Sequence, residues 1–264
     1  MTREIQASVP DDWDRHWNDY SRAAQRNPAQ QYRRHIIFSL LALPESGAGV
    51  RILDVGSGQG DMAAAIRSAY PQAEIIGLEL SHSGVEISRH KVPAARFLEC
   101  NLLNEIQPAD DLRGWATHAI CSEVIEHVDD PVTLLRNARL YMAPGCELVI
   151  TAPGGPMSAF DKHIGHRRHF RPADIEAVFR EAGFLPRPAT GAGFPFFNLY
   201  RCFILVRGRK LIADVSAEEN PTLSWTARAA MAVFDSLFCM NVDSSAWGWQ
   251  MVGKGQVPDE RRDS

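Results

Sequence analysis

Between residues 48 and 153, short apolar runs alternate with helical segments. "VRILDVG" has the run of a buried strand, and a glycine turn separates it from the helical "DMAAAIRSAY". "AEIIGLEL" and "SHSGVEISRHK" repeat the pair. "ARFLEC" is a short third strand, "WATHAICSEV" holds a fourth, "PVTLLRNARLYM" is a helix and "CELVITAP" a fifth strand. Strands alternating with helices predict an α/β fold with a doubly wound, mostly parallel sheet.

The flanks follow other patterns. Residues 31–43, "QYRRHIIFSLLAL", read as an amphipathic helix, and "PESGAG" as a linker. Residues 1–30 are polar, with Trp13, Trp17 and Tyr20 at helix-like spacing, either a lid or a helix packed on the core. After Pro153, "RPADIEAVFREAGF" predicts a helix closed by Gly183. Residues 190–240 hold two apolar segments around "RGRKLIADVSAEENP" that break the alternation, so a helical insertion or cap is expected there. "WGWQMVGKG" then predicts a late strand returning to the sheet.

Composition narrows the class. The chain has 264 residues, with 45% hydrophobic and 23% charged, which suits one elaborated domain with an ordinary core. Its net charge of −4 gives no basic footprint for nucleic acid. The local run "HRRHFR" could grip a phosphate, a carboxylate or RNA, or be a solvated loop. Five cysteines, none spaced C-x-x-C, argue against a disulfide framework or structural zinc. The N-terminus lacks the apolar core of a signal peptide. The longest apolar stretch, "GFPFFNLYRCFILV", is interrupted by Arg201 and is too short to span a bilayer. A soluble, cytoplasmic protein with no transmembrane segment is expected.

"ILDVGSGQGDMA" places Gly56, Gly58 and Gly60 between strand and helix, where glycine permits a tight turn and close ligand approach. Glu79 ends the second strand, 79 − 58 = 21 positions after the middle glycine, the usual place for a carboxylate that binds ribose hydroxyls. A dinucleotide site wants G-x-G-x-x-G, so that a helix N-terminus meets a pyrophosphate. Here the spacing is G-x-G-x-G, Asp61 stands at the third glycine's place, and Asp54 precedes the loop. Negative charge there opposes a pyrophosphate and suits a cation. S-adenosylmethionine carries a sulfonium and an ammonium and no phosphate, so it is favoured over NAD.

In combination these motifs resemble class I S-adenosylmethionine-dependent methyltransferases over about residues 48–185. "ILDVGSGQGD" looks like their first motif, "GLEL" the ribose-binding motif and "ECNLL" the adenine-contacting motif. "AICSEVIEHVDDP" resembles the fourth-strand motif, and "LYMAPGCELVITAP" the late turn and fifth strand. "NPAQQYRR" and "DKHIGHRRHF" are similar to the subgroup that includes ubiquinone-type O-methyltransferases. The resemblance implies a seven-stranded, Rossmann-like sheet. It divides the chain into a helical N-terminal lid at 1–45, a cofactor-binding core at 46–188, and a cap with the last strand at 189–264 on the acceptor side. It implies that Asp54, Gly56, Ser57, Gly58 and Gly60 hold the methionine moiety and that Glu79 binds the ribose. Leu80, Asn101 and Leu102 would surround the adenine, with Asn101 where the family usually has aspartate. Ser122 and Glu123 would border the cofactor, and Arg33 would meet its carboxylate unless it is simply a solvated helix arginine.

"SEVIEH" lies where the fourth strand should meet the methyl group. Within a turn or helix, Glu123, Glu126 and His127 would share one face at i, i+3 and i+4. Such a face can bind a divalent cation, with His163, His166 and His169 supplying further ligands from a later loop. The pattern is similar to the magnesium site of small-RNA 2′-O-methyltransferases, and that likeness selects His166 as the fourth ligand of Mg, Mn or Zn. Two other readings stand beside it. In one, His127, with Glu123 and His166, is a metal-free base and positioning group; in the other, Glu126 is a first-turn acid and His127 a structural histidine. Asp129 and Asp130 before Pro131 predict a helix cap. Phe194, Phe196, Phe197, Tyr200, Phe203 and Trp247 suit an aromatic or lipidic acceptor, or a dimer contact. The expected function is methyl transfer to a small-molecule hydroxyl in specialised or quinone-like metabolism. The alternatives are an RNA or protein methyltransferase and a non-catalytic methyltransferase-like binding subunit.

Overall fold

Continuous apolar runs make strands that are buried on both faces, and the sheet is built from them. The computed structural model describes residues 28–216 and 225–259. Trp13, Trp17 and Tyr20, and the lid expected from them, lie outside the described residues. Helix α1 (Pro28–Leu41) leads into β1 (Arg51–Val55), α2 (Asp61–Ala69), β2 (Glu74–Glu79), α3 (His82–Lys91) and β3 (Arg96–Glu99). Strand β4 (Ala116–Ser122), α4 (Pro131–Ala138), β5 (Met142–Pro153), α5 (Ala159–His163) and α6 (Pro172–Glu181) follow. The chain then forms β6 (Leu185–Pro186), β7 (Thr190–Ala192), α7 (Phe196–Ser216), α8 (Trp225–Phe238) and β8 (Gln250–Gln256).

The strand order is β3-β2-β1-β4-β5-β8-β6, seven strands along one path, and an eighth, β7, also pairs with β8. Strands β1 to β5 are parallel, and β8 runs antiparallel to β5, with Ile150 opposite Gly253. The eighth strand is three residues long and carries no alternation to announce it. The order reverses between β1 and β4, which opens a crevice at the carboxyl ends of those strands.

Successive residues of a strand face opposite sides, and here both sides are covered. Leu53, Val55, Leu78, Cys121, Leu148 and Ile150 pack towards α4 and α6. Their neighbours Ile52, Ile75, Ile120 and Val149 pack with Ile37, Leu41, Ile66 and Val85 of the helices α1 to α3. A third, aromatic cluster joins Tyr32 of α1 to Phe197 and Tyr200 of α7, Phe238 of α8 and Val252 of β8. Past β7, the described residues of the segment at 190–240 are therefore mostly helical, anchored by aromatic and apolar contacts to α1 and β8. Among the described residues no helix is long and apolar enough to cross a membrane.

Strand β8 fits because it is thin. A Cβ on Gly255 would stand 2.5 Å from the ring of Phe179, which is fully buried in α6. Gly255→Val is therefore expected to lower stability by about 1–3 kcal/mol through overpacking, read as a shift of the urea midpoint at constant slope.

Candidate functional site

A cavity of about 420 Å³ lies at the carboxyl ends of β1, β2 and β4. The glycine loop forms its floor. Gly56, Gly58 and Gly60 have φ of 70°, 54° and 74°, the left-handed region that glycine enters without strain. A Cβ at Gly56 would meet Val124 at 2.5 Å, so the loop also needs glycine for its close approach to β4. Gly60 caps α2 from beneath and does not face the cavity, whereas Gly56, Ser57 and Gly58 do. Asp61 is engaged by Lys91 at 3.0 Å.

Two carboxylates flank this loop. Glu79 Oε2 accepts from Gly58 N–H at 2.8 Å and Oε1 from Ser81 N–H at 2.9 Å, so the end of β2 is tied directly to the loop. Asp54 is buried, and its Oδ2 has no hydrogen-bond partner. Burial, and then the neighbouring Glu79, push Asp54 up to about 7. A buried carboxylate oxygen short of a donor fits the ammonium of a methionine moiety, and these charges fit S-adenosylmethionine. Further along the wall, Leu80 is exposed and Leu102 buried. The Oδ1 of Asn101 accepts from Leu103 N–H at 3.0 Å, so the amide oxygen expected to meet adenine also closes a local turn.

At the end of β4 the expected face of Glu123, Glu126 and His127 does not form. Glu123 has φ 57°, and the helical turn begins only after it, as a single 3₁₀ turn over Ile125–His127. The carboxylate of Glu123 turns instead to Arg33 Nη2 at 2.9 Å and Gln250 Nε2 at 2.8 Å. Of the four residues expected as metal ligands, Glu126, His127 and His166 place one ligand atom each within 4.8 Å of one another, and Glu123 is not in that group. Arg33 faces the cavity but is engaged by Glu123 and by Gln250 Oε1 at 2.9 Å. Ser122 Oγ bonds Thr151 Oγ1 at 2.8 Å across β4 and β5.

Within this cluster Glu126 is fully buried, and His127 and His166 are half-buried on the cavity wall. Glu126 has no exposed surface, and neither carboxylate oxygen has a hydrogen-bond partner. Burial, then Glu123, push its pKa well above the carboxylate range. His127 Nε2 is 3.9 Å from Glu126 Oε1, and the His127 and His166 rings meet edge-on at 4.7 Å. Burial, then the neighbouring His127, hold His166 down at about 3. His166 Nδ1 lies 3.3 Å from His169 Nε2, and His169 Nδ1 bonds Gly155 O at 3.0 Å. His163, the third histidine of that loop, is exposed and belongs to neither of the two metal-capable groups found among the described residues.

Sequence reasoning missed three side chains here. Asp161 forms a buried two-armed ion pair with Arg201, at 3.0 and 2.8 Å, joining α5 to α7 at the cavity wall. Burial would raise the Asp161 pKa, but Arg201, by hydrogen bond and charge, with Ser158, brings it to about 2. "SAFD" did carry a capping signal, Ser158 and Asp161 at N-cap and N3. Gln250, fully buried in β8, had no local signal at all. In the "DDP" run only Asp130 caps α4, accepting from Thr133 N–H at 2.9 Å, while Asp129 pairs with Arg167 and its carbonyl accepts from Arg168 at 2.8 Å. Of the expected acceptor-side aromatics, Tyr200 lines the cavity and Phe197 is buried beside it, whereas Phe203 and Trp247 are exposed.

The fold and this cavity define a Rossmann-like S-adenosylmethionine-binding protein. The methyltransferase domain family matches residues 20–186, and the chain belongs to it: it is an S-adenosylmethionine-dependent methyltransferase. Its similarity to the ubiquinone biosynthesis O-methyltransferase of Pseudomonas aeruginosa is 25% identity over 160 residues, 54% of this chain and 68% of that protein. Its fold is similar to a chain in the complex of the Haloferax volcanii Trm112 methyltransferase activator with a methyltransferase, at a TM-score of 0.60 and 20% identity, covering 95% of this chain and 100% of that one. It is also similar to Haemonchus contortus phosphoethanolamine N-methyltransferase 2 in complex with S-adenosylmethionine, at a TM-score of 0.51 and 17% identity, covering 80% of this chain and 49% of that one.

Two expectations follow. Asp54 is protonated below about 7 and then cannot pair with a cation. Calorimetry should show S-adenosylmethionine affinity rising between about pH 6 and 7.5, with Asp54→Asn about tenfold weaker and flat over that range. Separately, Arg201→Met leaves Asp161 buried and unpaired, and should cost about 3–5 kcal/mol in chemical denaturation.

Proposed function

We propose that this methyltransferase acts on a hydroxyl of a small-molecule acceptor. The observation that carries the reading is the Glu126–His127–His166 cluster at the carboxyl end of β4, with His127 and His166 on the cavity wall. S-adenosylmethionine supplies a methyl group activated on its sulfonium. Asp54, Glu79 and the glycine loop hold the cofactor, with Leu80, Asn101 and Leu102 around the adenine. His127 takes the proton of the acceptor hydroxyl as methyl transfer proceeds, within reach of a neutral His166 and of Glu126. Alignment of the nucleophile with the methyl group supplies much of the remaining acceleration.

The acceptor side is formed by the segment after residue 188, together with α5. Phe160, Ile164, Tyr200 and Ile204 make an apolar wall suited to an aromatic or lipidic acceptor. The relatives named as ubiquinone biosynthesis O-methyltransferases support quinone-like chemistry. Arg167 and Arg168 both bond Asp129, which weakens the reading of "HRRHFR" as an RNA grip. A second reading of the cluster, as the seat of a divalent cation, is favoured by the two buried, unbonded oxygens of Glu126. Two imidazoles and one carboxylate suit Zn or Mn better than Mg.

An acceptor screen read by mass shift tests the proposal. Hydroxylated aromatics and prenylated phenols should gain one methyl group on oxygen. His127→Ala should then lower turnover about 100- to 10,000-fold while S-adenosylhomocysteine affinity stays unchanged. Methylation of RNA, protein or an amine instead would overturn it. EDTA treatment with metal add-back separates the two readings of the cluster.

A further inference from the structure

Gln250 is fully buried and touches three separate parts of the site. It begins β8, opposite Pro153 of β5 on one side and Ala192 of β7 on the other. Because β8 is antiparallel, its first residue reaches the same sheet edge as the end of β4. Its Oε1 accepts from Arg33 Nε at 2.9 Å. Its Nε2 donates to Glu123 Oε1 at 2.8 Å and to Ala152 O at 3.1 Å. Arg33 can only donate, and Glu123 and Ala152 O can only accept, so one orientation of the amide satisfies all three partners.

The ring closes through Arg33 Nη2 and Glu123 Oε2 at 2.9 Å. Glu123 holds a left-handed backbone, φ 57°, that a glutamate adopts only when its surroundings fix it. Its N–H donates to Thr151 O at 2.9 Å, and its carboxylate is gripped from α1 and β8. On the α1 side, Arg33 also lies over the Phe197 ring at 5.9 Å. The same helix turns Ala29, Gln30 and Arg33 to the cavity. Helix α1 is therefore held at its cavity end by the aromatic cluster around Tyr32 and by this polar ring, and further along by Ile37 and Leu41 packed on the sheet.

We propose that Gln250 is a positioning residue of the methyl-transfer site, which sets the Glu123 carboxylate in the cavity and, through Arg33, ties the α1 wall to it. Exchange of charge within the ring is the discriminating test. Gln250→Glu sets two carboxylates face to face. Adding Glu123→Gln removes the facing carboxylates and returns one amide and one carboxylate between Arg33 and the 123/250 pair at the original net charge, while Ala152 O stays without its donor.

Hydrogen exchange of residues 28–41 and calorimetry with S-adenosylhomocysteine read the outcome. Gln250→Glu should speed α1 exchange and weaken S-adenosylhomocysteine each by about tenfold, with β1 and β4 amides unchanged. The double variant should recover part of both losses, about threefold, since the contact to Ala152 O stays broken. Arg33→Met, which opens the ring from the helix side without adding a buried charge, should loosen α1 to the same extent. Parent-like α1 exchange in Gln250→Glu and Arg33→Met, or a double variant no better than Gln250→Glu alone, would overturn the proposal.

Discussion

Three carboxylates buried at the carboxyl edge of adjacent parallel strands govern this molecule. Burying a carboxylate is costly unless hydrogen bonds or cations compensate it. Glu79 is compensated by the backbone N–H groups of Gly58 and Ser81, which makes the glycine loop and β2 one unit. Asp54 keeps one unbonded oxygen, and Glu126 keeps two. The edge is thus graded from a satisfied acid to acids that still need a proton or a cation. That gradation runs across the sheet edge from the end of β2 to the turn after β4.

The late part of the chain completes what the parallel sheet begins. Helix α7 brings Arg201 to Asp161, and β8 brings Gln250 to Arg33 and Glu123. Both links are made by side chains at least 40 positions apart in sequence, and both set charged groups on the cavity wall. They explain how an insertion without βαβ periodicity is built into the site. Its aromatic residues supply apolar burial, while Arg201, with Gln250 of the strand that follows, fixes orientation. The division agrees with the energetics, since apolar burial is non-directional whereas a two-armed Arg–carboxylate pair is geometrically exacting.

The core fold was legible because each signal is local. Apolar runs such as "VRILDV" mark strands covered on both faces, and the left-handed glycines at 56, 58 and 60 mark a turn that L side chains rarely make. The expected seven strands lie along the main path. The short β7 was not legible, because three residues cannot display a period. The carboxylates Asp54 and Glu79 were legible for the same reason as the glycines: their distance along the chain is fixed by one strand–helix–strand unit.

The E-x-x-E-H stretch shows where that reasoning stops. The sequence by itself determined that Glu126 and His127 sit at the end of β4 and that a later histidine loop reaches the same edge. Spacing assumed a continuous helical turn, and tertiary structure decided otherwise. Arg33 and Gln250, from helix and strand more than 80 residues away on either side, draw Glu123 aside through a left-handed backbone. Local periodicity can place residues on a face only while the backbone stays regular. Where distant charges fix the backbone, their positions are set by the packing of the whole sheet, and only the folded chain contains that information.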